Sequence, residues 1–227
     1  NNSPNTKVKY DNIKVTTTIE ISSPYSKGIP IFSKTKAKSS EIVASDGSKL
    51  SGIVSPDSDS DEAELGDYRI TESGTKVYYE EDKTPVELVL AVEKYFKAIA
   101  EKDFDAYCEI VQPEYAEVYG DYLEAKNDSI QNSFELQSDN CEAQVGGKYK
   151  LTRIRIEASE EDLSEGYFEV LEGLMGEGSA QKMKDAADEL ITIVFFVMVE
   201  AEGEEHFLAQ ESKMIIAKQD GKYFIMA

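Results

Sequence analysis

TPVELVLAVEKYFKAIAEKDFDAYCEIV, residues 84–111, is the stretch from which the fold can be read. Thr84 stands where a helix N-cap belongs, Pro85 at the first helical position, and Glu87 three residues after the threonine. That spacing predicts a capping box in which the Glu87 carboxylate bonds back to the Thr84 N–H. From there Leu88, Val92, Tyr95, Phe96 and Ile99 return to one helical face, as they must in a helix laid against a core. Asp103 caps a second, shorter helix over Phe104–Val111, and Pro113 opens a third that is predicted to run as far as Phe134. Three helices therefore precede the first strand of this region.

Downstream the period changes. In Lys148–Glu157, Tyr149 and Leu151 share one parity and Ile154 and Ile156 the other, so a bulge is predicted near Thr152 and Arg153. Ser159 with Asp162 starts another helix, whose Leu163, Tyr167, Val170, Leu171 and Leu174 form an apolar stripe ended by Gly176; Ser179–Asp188 reads as one more short helix. Ile191–Val199 (ITIVFFVMV) is apolar at every position but Thr192 and reads as a central strand buried on both faces. Glu202-Gly203 turns it into Glu205–Ala217, and Asp220-Gly221 turns that into Lys222–Met226, an antiparallel meander.

Residues 1–84 have a different texture. Lys7–Ile21 reads as one extended segment, followed by short strands at Ile29–Phe32, Glu41–Ala44 and Leu50–Val54, and a hairpin of Tyr68–Ile70 with Lys76–Tyr79. Between the last two groups, residues 55–67 (SPDSDSDEAELGD) hold too little apolar surface to order themselves and read as a flexible acidic loop. The expected organisation is α+β: a β-rich module or extension over 1–84 and a main domain over 85–227.

Charge restricts the partners. The 227 residues carry 24 Lys and Arg against 45 Asp and Glu, a net −21, with one His, two Cys and no Trp. Residues 1–84 hold 11 basic and 14 acidic side chains, net −3, and residues 85–227 hold 13 and 31, net −18. Nucleic-acid affinity comes mainly from Lys and Arg displacing counterions, so a chain this acidic is expected to bind neither nucleic acid nor anionic lipid. No apolar run approaches the roughly 20 residues that span a bilayer, and no membrane insertion is expected. The opening Asn-Asn-Ser-Pro suits a trimmed product, and the expectation is a protein secreted or held at the cell surface by a lipid anchor. Cys108 and Cys141 leave two readings, a single disulfide or two buried thiols.

VEKYFKAIAEKDFDAYCEIV (residues 92–111) and the closing KQDGKYFIMA (218–227) resemble the first helices and the last strand of the nuclear-transport-factor-two-like, or SnoaL-like, cystatin-like cone fold. The resemblance covers about residues 85–227 and is greatest to domains of unknown function at the end of bacterial secreted lipoproteins. It implies helices packed on a strongly bent antiparallel sheet, with an apolar pocket at the open end of the cone. The helical insert Glu160–Asp188 departs from the simplest form of that fold. GIPIFSKTKAKSSEIV (28–43) and YRITESGTKVYY (68–79) are similar to the first and last strands of bacterial Src-homology-three-like barrels. The alternative for this part is a strand-rich extension wrapping the main domain.

Tyr115, Tyr119 and Tyr122, at i, i+4 and i+7, could line such a pocket and offer phenol donors, with Asp121 on a different helix face. The competing reading is packing at the core or rim. Arg153 and Arg155, two apart on one strand face, could receive a carboxylate or phosphate; the competing reading pairs them with the domain's own acids. His206 needs a neighbouring nucleophile or carboxylate before it can act as acid or base, and a solvated position near the Glu202–Glu205 turn is expected. Asp57, Asp59 and Asp61 imitate the start of a calcium loop, but Glu62 replaces the turn glycine and Tyr68 the bidentate carboxylate.

No cofactor, metal site or catalytic residue is expected from these patterns. The sequence thus points to a non-enzymatic extracellular domain for a small apolar or anionic ligand or for protein association, including a homodimer through the sheet face. The rival is an isomerase or hydrolase using tyrosines and carboxylates in the cone pocket.

Overall fold

The computed structural model describes residues 6–10, 13–17, 40–57, 64–159 and 161–226. Ile29–Phe32, residues 58–63 of the acidic loop, and with them Asp59 and Asp61, lie outside the described residues. The chain divides into two compact units between Gly74 and Thr75, ahead of the boundary expected at Thr84. The described residues of the first unit form strands, and the second unit is α+β.

In the first unit β1 (Thr6–Tyr10) pairs antiparallel with β2 (Ile13–Thr17), where the sequence suggests one extended segment. β3 (Ile42–Val43) pairs with β2 and with β4 (Lys49–Leu50), giving the order β1-β2-β3-β4. Gly47 at φ 88 makes the β3–β4 turn, where its N–H donates to the Ala44 carbonyl at 3.0 Å. β5 (Arg69–Ile70) lies beside Ser51, whose N–H donates to the Ile70 carbonyl at 2.9 Å. Arg69 is buried, and its guanidinium donates to the carbonyls of Ser51 at 2.7 Å and Ser40 at 3.3 Å. Such bonds to carbonyl oxygens offset part of the cost of burying a cation.

The second unit opens with β6 (Lys76–Tyr79). Four helices follow: α1 (Val86–Glu101), α2 (Phe104–Ile110), α3 (Pro113–Glu124) and α4 (Ile130–Val145). Then come β7 (Tyr149–Ala158), α5 (Ser164–Met175), α6 (Ser179–Ala186), β8 (Glu189–Ala201), β9 (Glu204–Gln219) and β10 (Lys222–Met226). Within this unit the strands run in the order β10-β9-β8-β7-β6. All pair antiparallel except β6, which takes β7 as a parallel partner with Lys76 opposite Arg153 and Tyr79 opposite Ile156. The sheet is therefore mixed, a correction to the all-antiparallel expectation, and the parallel pair requires the long crossover that the four helices supply. The β7 bulge falls between Leu151 and Arg153, as the slipped parity predicts, and β8–β9 carries two further register shifts near Val197.

α1 lies against β7 and β10, and Leu88, Val92, Tyr95, Phe96 and Ile99 are all buried as its period predicts. The capping box does not form. The Thr84 N–H is already given to the Glu80 carbonyl at 2.9 Å, the Thr84 hydroxyl is buried without a hydrogen bond, and the helix starts after Pro85. Asp103 caps α2 as expected, its carboxylate accepting from the Ala106 N–H at 3.0 Å.

The third helix does not run on to Phe134. Asn127 enters the left-handed region at φ 60, and the Ser129 hydroxyl accepts from the Asn132 N–H at 3.1 Å to start α4, so four helices and not three precede β7. The polar run Lys126-Asn127-Asp128-Ser129 supplies the stop and the new cap. At the other end of this layer Lys102 bonds Asp139 at 2.6 Å and Glu142 at 2.9 Å, tying the end of α1 to α4.

α5 is turned relative to its predicted stripe. Phe168 and Leu171 are buried, whereas Val170 is 61% and Leu174 54% exposed. Phe168, absent from the expected stripe, has displaced them because it and Leu171 lie on a face displaced around the helix from Val170 and Leu174. Of the expected pair at its start, Asp162 accepts the Ser164 N–H at 2.9 Å while Ser159 accepts from the Glu161 N–H at 3.1 Å, and the helix itself begins after Leu163. β8 is buried fully on one face only. Ile193, Phe195, Val197 and Val199 are in the core, while Val194, Phe196 and Met198 are half-buried.

Candidate functional site

The polar chemistry of the second unit gathers among its tyrosines. Pro113 at the start of α3 sets the helix phase, and from it Tyr115, Tyr119 and Tyr122 fall on one face. Their rings stack, with centroids 5.7 Å apart between Tyr115 and Tyr119 and 6.2 Å between Tyr119 and Tyr122. Burial grades along the stack. Tyr115 is in the core, and Tyr119 and Tyr122 are half-buried. The Tyr119 hydroxyl bonds to the Ser133 hydroxyl of α4 at 2.8 Å, and the Tyr122 hydroxyl accepts from Lys126 Nζ at 2.6 Å, that ammonium lying 4.2 Å from the ring centroid. Asp121 is exposed.

At its buried end the stack meets a second set of rings that the sequence offers no means of placing. Tyr107 of α2 lies 5.9 Å from Tyr95 of α1 and 4.8 Å from Phe134 of α4, centroid to centroid. Burial raises the Tyr115 hydroxyl far above the ordinary phenol range, and proximity to Tyr167, Tyr119 and Tyr95 adds to the effect because phenolates would repel one another. Burial likewise raises Tyr107 and Tyr167, and pushes Tyr95 up to about 12 against a weaker opposing bond from Gln137. These hydroxyls stay protonated at any physiological pH. Tyr95 accepts from Gln137 Nε2 at 3.0 Å, and Tyr167 donates to the Met226 carbonyl at 2.9 Å. The cluster joins α1, α2, α3 and α5, and it is chemically a set of hydroxyl dipoles among aromatic faces, neutral at physiological pH.

Arg153 and Arg155 are elsewhere, on β7. Arg153 Nη2 lies 2.7 Å from Glu205 Oε1 of β9, and Arg155 Nε 2.7 Å from Glu157 Oε1. Both are therefore engaged by carboxylates, the competing reading of the sequence, and they belong to the sheet while the tyrosine stack belongs to the helices. His206 is half-buried in β9 opposite Val199, more enclosed than a residue beside the Glu202–Glu205 turn was expected to be.

Cys108 on α2 is exposed and Cys141 on α4 half-buried, and both are free thiols, which corrects the disulfide reading and half of the buried-thiol reading. Burial raises both thiols' pKa values, so neither is an activated thiolate. Among the described residues no group of three His, Cys, Asp or Glu side chains is placed to hold a metal ion, and no helix is long and apolar enough to cross a membrane.

Tyr95 and Tyr107 are legible in the sequence only as apolar-face residues of two helices. Tyr167 lies in the insert, and nothing in its local sequence connects it to α3. Comparison with family models, with curated proteins and with solved structures finds no match for this chain.

Proposed function

We propose that the second unit is a non-enzymatic binding domain in which the cluster of Tyr95, Tyr107, Tyr115 and Tyr167 receives a small, largely apolar ligand through its ring faces and the hydroxyl donors of Tyr95, Tyr107 and Tyr115, the Tyr167 hydroxyl being given to Met226. The observation that carries this reading is the cluster itself: four tyrosines from four helices, with hydroxyl pKa values driven upward by burial. The resemblance to cone-fold domains of secreted lipoproteins supports it, since that fold opens an apolar pocket between helices and sheet; work outside the cytoplasm and an accessory role for the first unit belong to the same proposal.

A tyrosine–carboxylate enzyme has less support. The hydroxyls of Tyr95, Tyr119, Tyr122 and Tyr167 are bonded to an amide, a hydroxyl, an ammonium and a backbone carbonyl, and these partners do not make a phenol into a base. The test is native mass spectrometry of freshly purified full-length chain, then mass measurement after denaturation. A small molecule retained in the first spectrum, lost in the second and absent from a Tyr115→Ala variant supports the reading; retention unchanged in that variant counts against the cluster as its site.

A second reading, association of two copies through the sheet, is favoured by half-buried Val194, Phe196 and Met198 on β8, with Phe207, 47% exposed, opposite Met198 on β9. A monomer mass by light scattering at micromolar concentration would set it aside.

A further inference from the structure

The outward face of α5 carries a feature that the tyrosine cluster does not use. Val170 and Leu174 are exposed, one turn apart, on a helix whose inward face is already filled by Phe168 and Leu171. Beside them on the same outward surface are Gly166 and Gly173, both exposed, where a Cβ would meet no atom within 4 Å. Glycine is among the weakest helix formers, and in the middle of a helix it is usually kept where something must come close. Among the described residues nothing lies within 4 Å of where either Cβ would stand. Beyond the glycines, on the far side from Val170 and Leu174, stand the exposed carboxylates of Glu165 and Glu169, and α5 contains no basic residue. The helical period thus sets an apolar edge, a floor without side chains and an acidic edge side by side along the helix.

We propose that this face of α5 is a docking surface for an amphipathic, basic helix of a partner protein. Its apolar residues would cover Val170 and Leu174, its backbone would approach over Gly166 and Gly173, and its Lys or Arg side chains would reach Glu165 and Glu169. Charge chooses this occupant over the alternatives. A second copy would bring the same acidic edge against itself, and an anionic membrane would be repelled by it. The site is distinct from the tyrosine cluster and does not depend on the reading given to that cluster.

The test uses the full chain and a labelled peptide of about 18 residues, roughly five helical turns, with leucines on one face and lysines on the other. A scrambled isomer of the same composition removes the amphipathic order while keeping the charge. Fluorescence anisotropy is expected to show the ordered peptide binding about tenfold or more tightly than the scrambled one. The Val170→Ser/Leu174→Ser variant should erase that difference, and Glu165→Gln/Glu169→Gln should weaken binding and flatten its salt dependence. All four side chains or their polar tips are exposed, so the fold should tolerate these changes, and circular dichroism melts confirm it. Equal binding of the two peptides, or unchanged preference in Val170→Ser/Leu174→Ser, would overturn the proposal. So would concentration-dependent self-association that these substitutions abolish, or their abolition of binding to phosphatidylcholine vesicles, since either would give the face to another occupant.

Discussion

The Tyr167 hydroxyl donates to the Met226 carbonyl at 2.9 Å, fastening the α5–α6 insert to the last strand of the sheet. Both residues are remote in sequence, and the bond is shielded enough that burial raises the phenol's pKa. Tyr167→Phe keeps the ring and removes the donor, leaving a buried carbonyl with one partner fewer. A loss of about 1–2 kcal/mol is expected, read as a lower urea midpoint with an unchanged slope.

The helix starts separate from one another in the same assay. Asp103→Ala and Ser129→Ala each remove a side chain that accepts a helix N–H, and each should cost about 1 kcal/mol. Thr84→Val should cost nothing or stabilise, because the Thr84 hydroxyl is buried and makes no hydrogen bond. A loss of about 1 kcal/mol there would mean that the capping box forms in solution after all.

High pH acts through the tyrosine cluster. Tyr95 has its folded-state pKa raised from 10.0 to about 12, so the folded protein holds a proton that the unfolded chain releases above pH 10. Its contribution is fully present below pH 10 and is lost as the pH rises towards and through 12, amounting to about 2 kcal/mol at pH 12 from this residue alone. Denaturant midpoints between pH 9 and pH 12, followed together with phenolate absorbance, should fall and show phenol ionisation coincident with unfolding. Ionisation near pH 10 of all thirteen tyrosines in the folded state would contradict a buried cluster.

Low pH acts at the insert. Glu172 at the end of α5 accepts the N–H groups of Gly178 at 2.6 Å and Ala180 at 2.9 Å, and these bonds lower its pKa. A lowered folded-state pKa contributes stability that is present above the ordinary glutamate value of about 4.3 and lost as the pH falls through the folded value. The backbone amide resonances of Gly178 and Ala180 should therefore titrate together below that ordinary value, and Glu172→Gln should abolish the titration.

Packing sets the largest effect. Phe134 is buried against Phe104 and Tyr107, so Phe134→Ala should cost about 3–5 kcal/mol in the urea assay. Because α4 brings Phe134 and Gln137 to α1 and α2, the same change should raise the exposure of Tyr95, seen as a lower onset of phenolate absorbance.

Periodic elements were the legible part of this fold. The stripe of α1, the Asp103 cap, the β7 bulge and the meander of β8, β9 and β10 are each written in residues adjacent or nearly so, where the local rule and the tertiary demand agree. Misreadings arose where two local signals competed. Thr84-Pro85-x-Glu87 has the form of a capping box, but the preceding turn had already taken the Thr84 N–H. The run through Asn127 and Ser129 could be crossed by a helical period only by ignoring its polar punctuation. In α5 an apolar stripe could be drawn through Val170 and Leu174, and only tertiary packing decides that Phe168 goes inward in their place. For the candidate site, the Tyr115–Tyr119–Tyr122 face was readable because it follows one helix. Its junction with Tyr95, Tyr107 and Tyr167 was not, because that junction is made by four helices meeting and no spacing along the chain encodes it.

The pairing of Lys76 with Arg153 also bears on the entropy of folding. All four helices of the layer lie in the chain between these two residues, so closing the parallel ladder carries the loop-closure entropy of that whole stretch. The contacts of β8 with β9 and β9 with β10 span short turns and face a smaller entropic barrier. Loop-closure entropy therefore favours the meander and the local helices ahead of the β6–β7 ladder, and a chain leaving the ribosome has β6 in hand long before its parallel partner β7 is made.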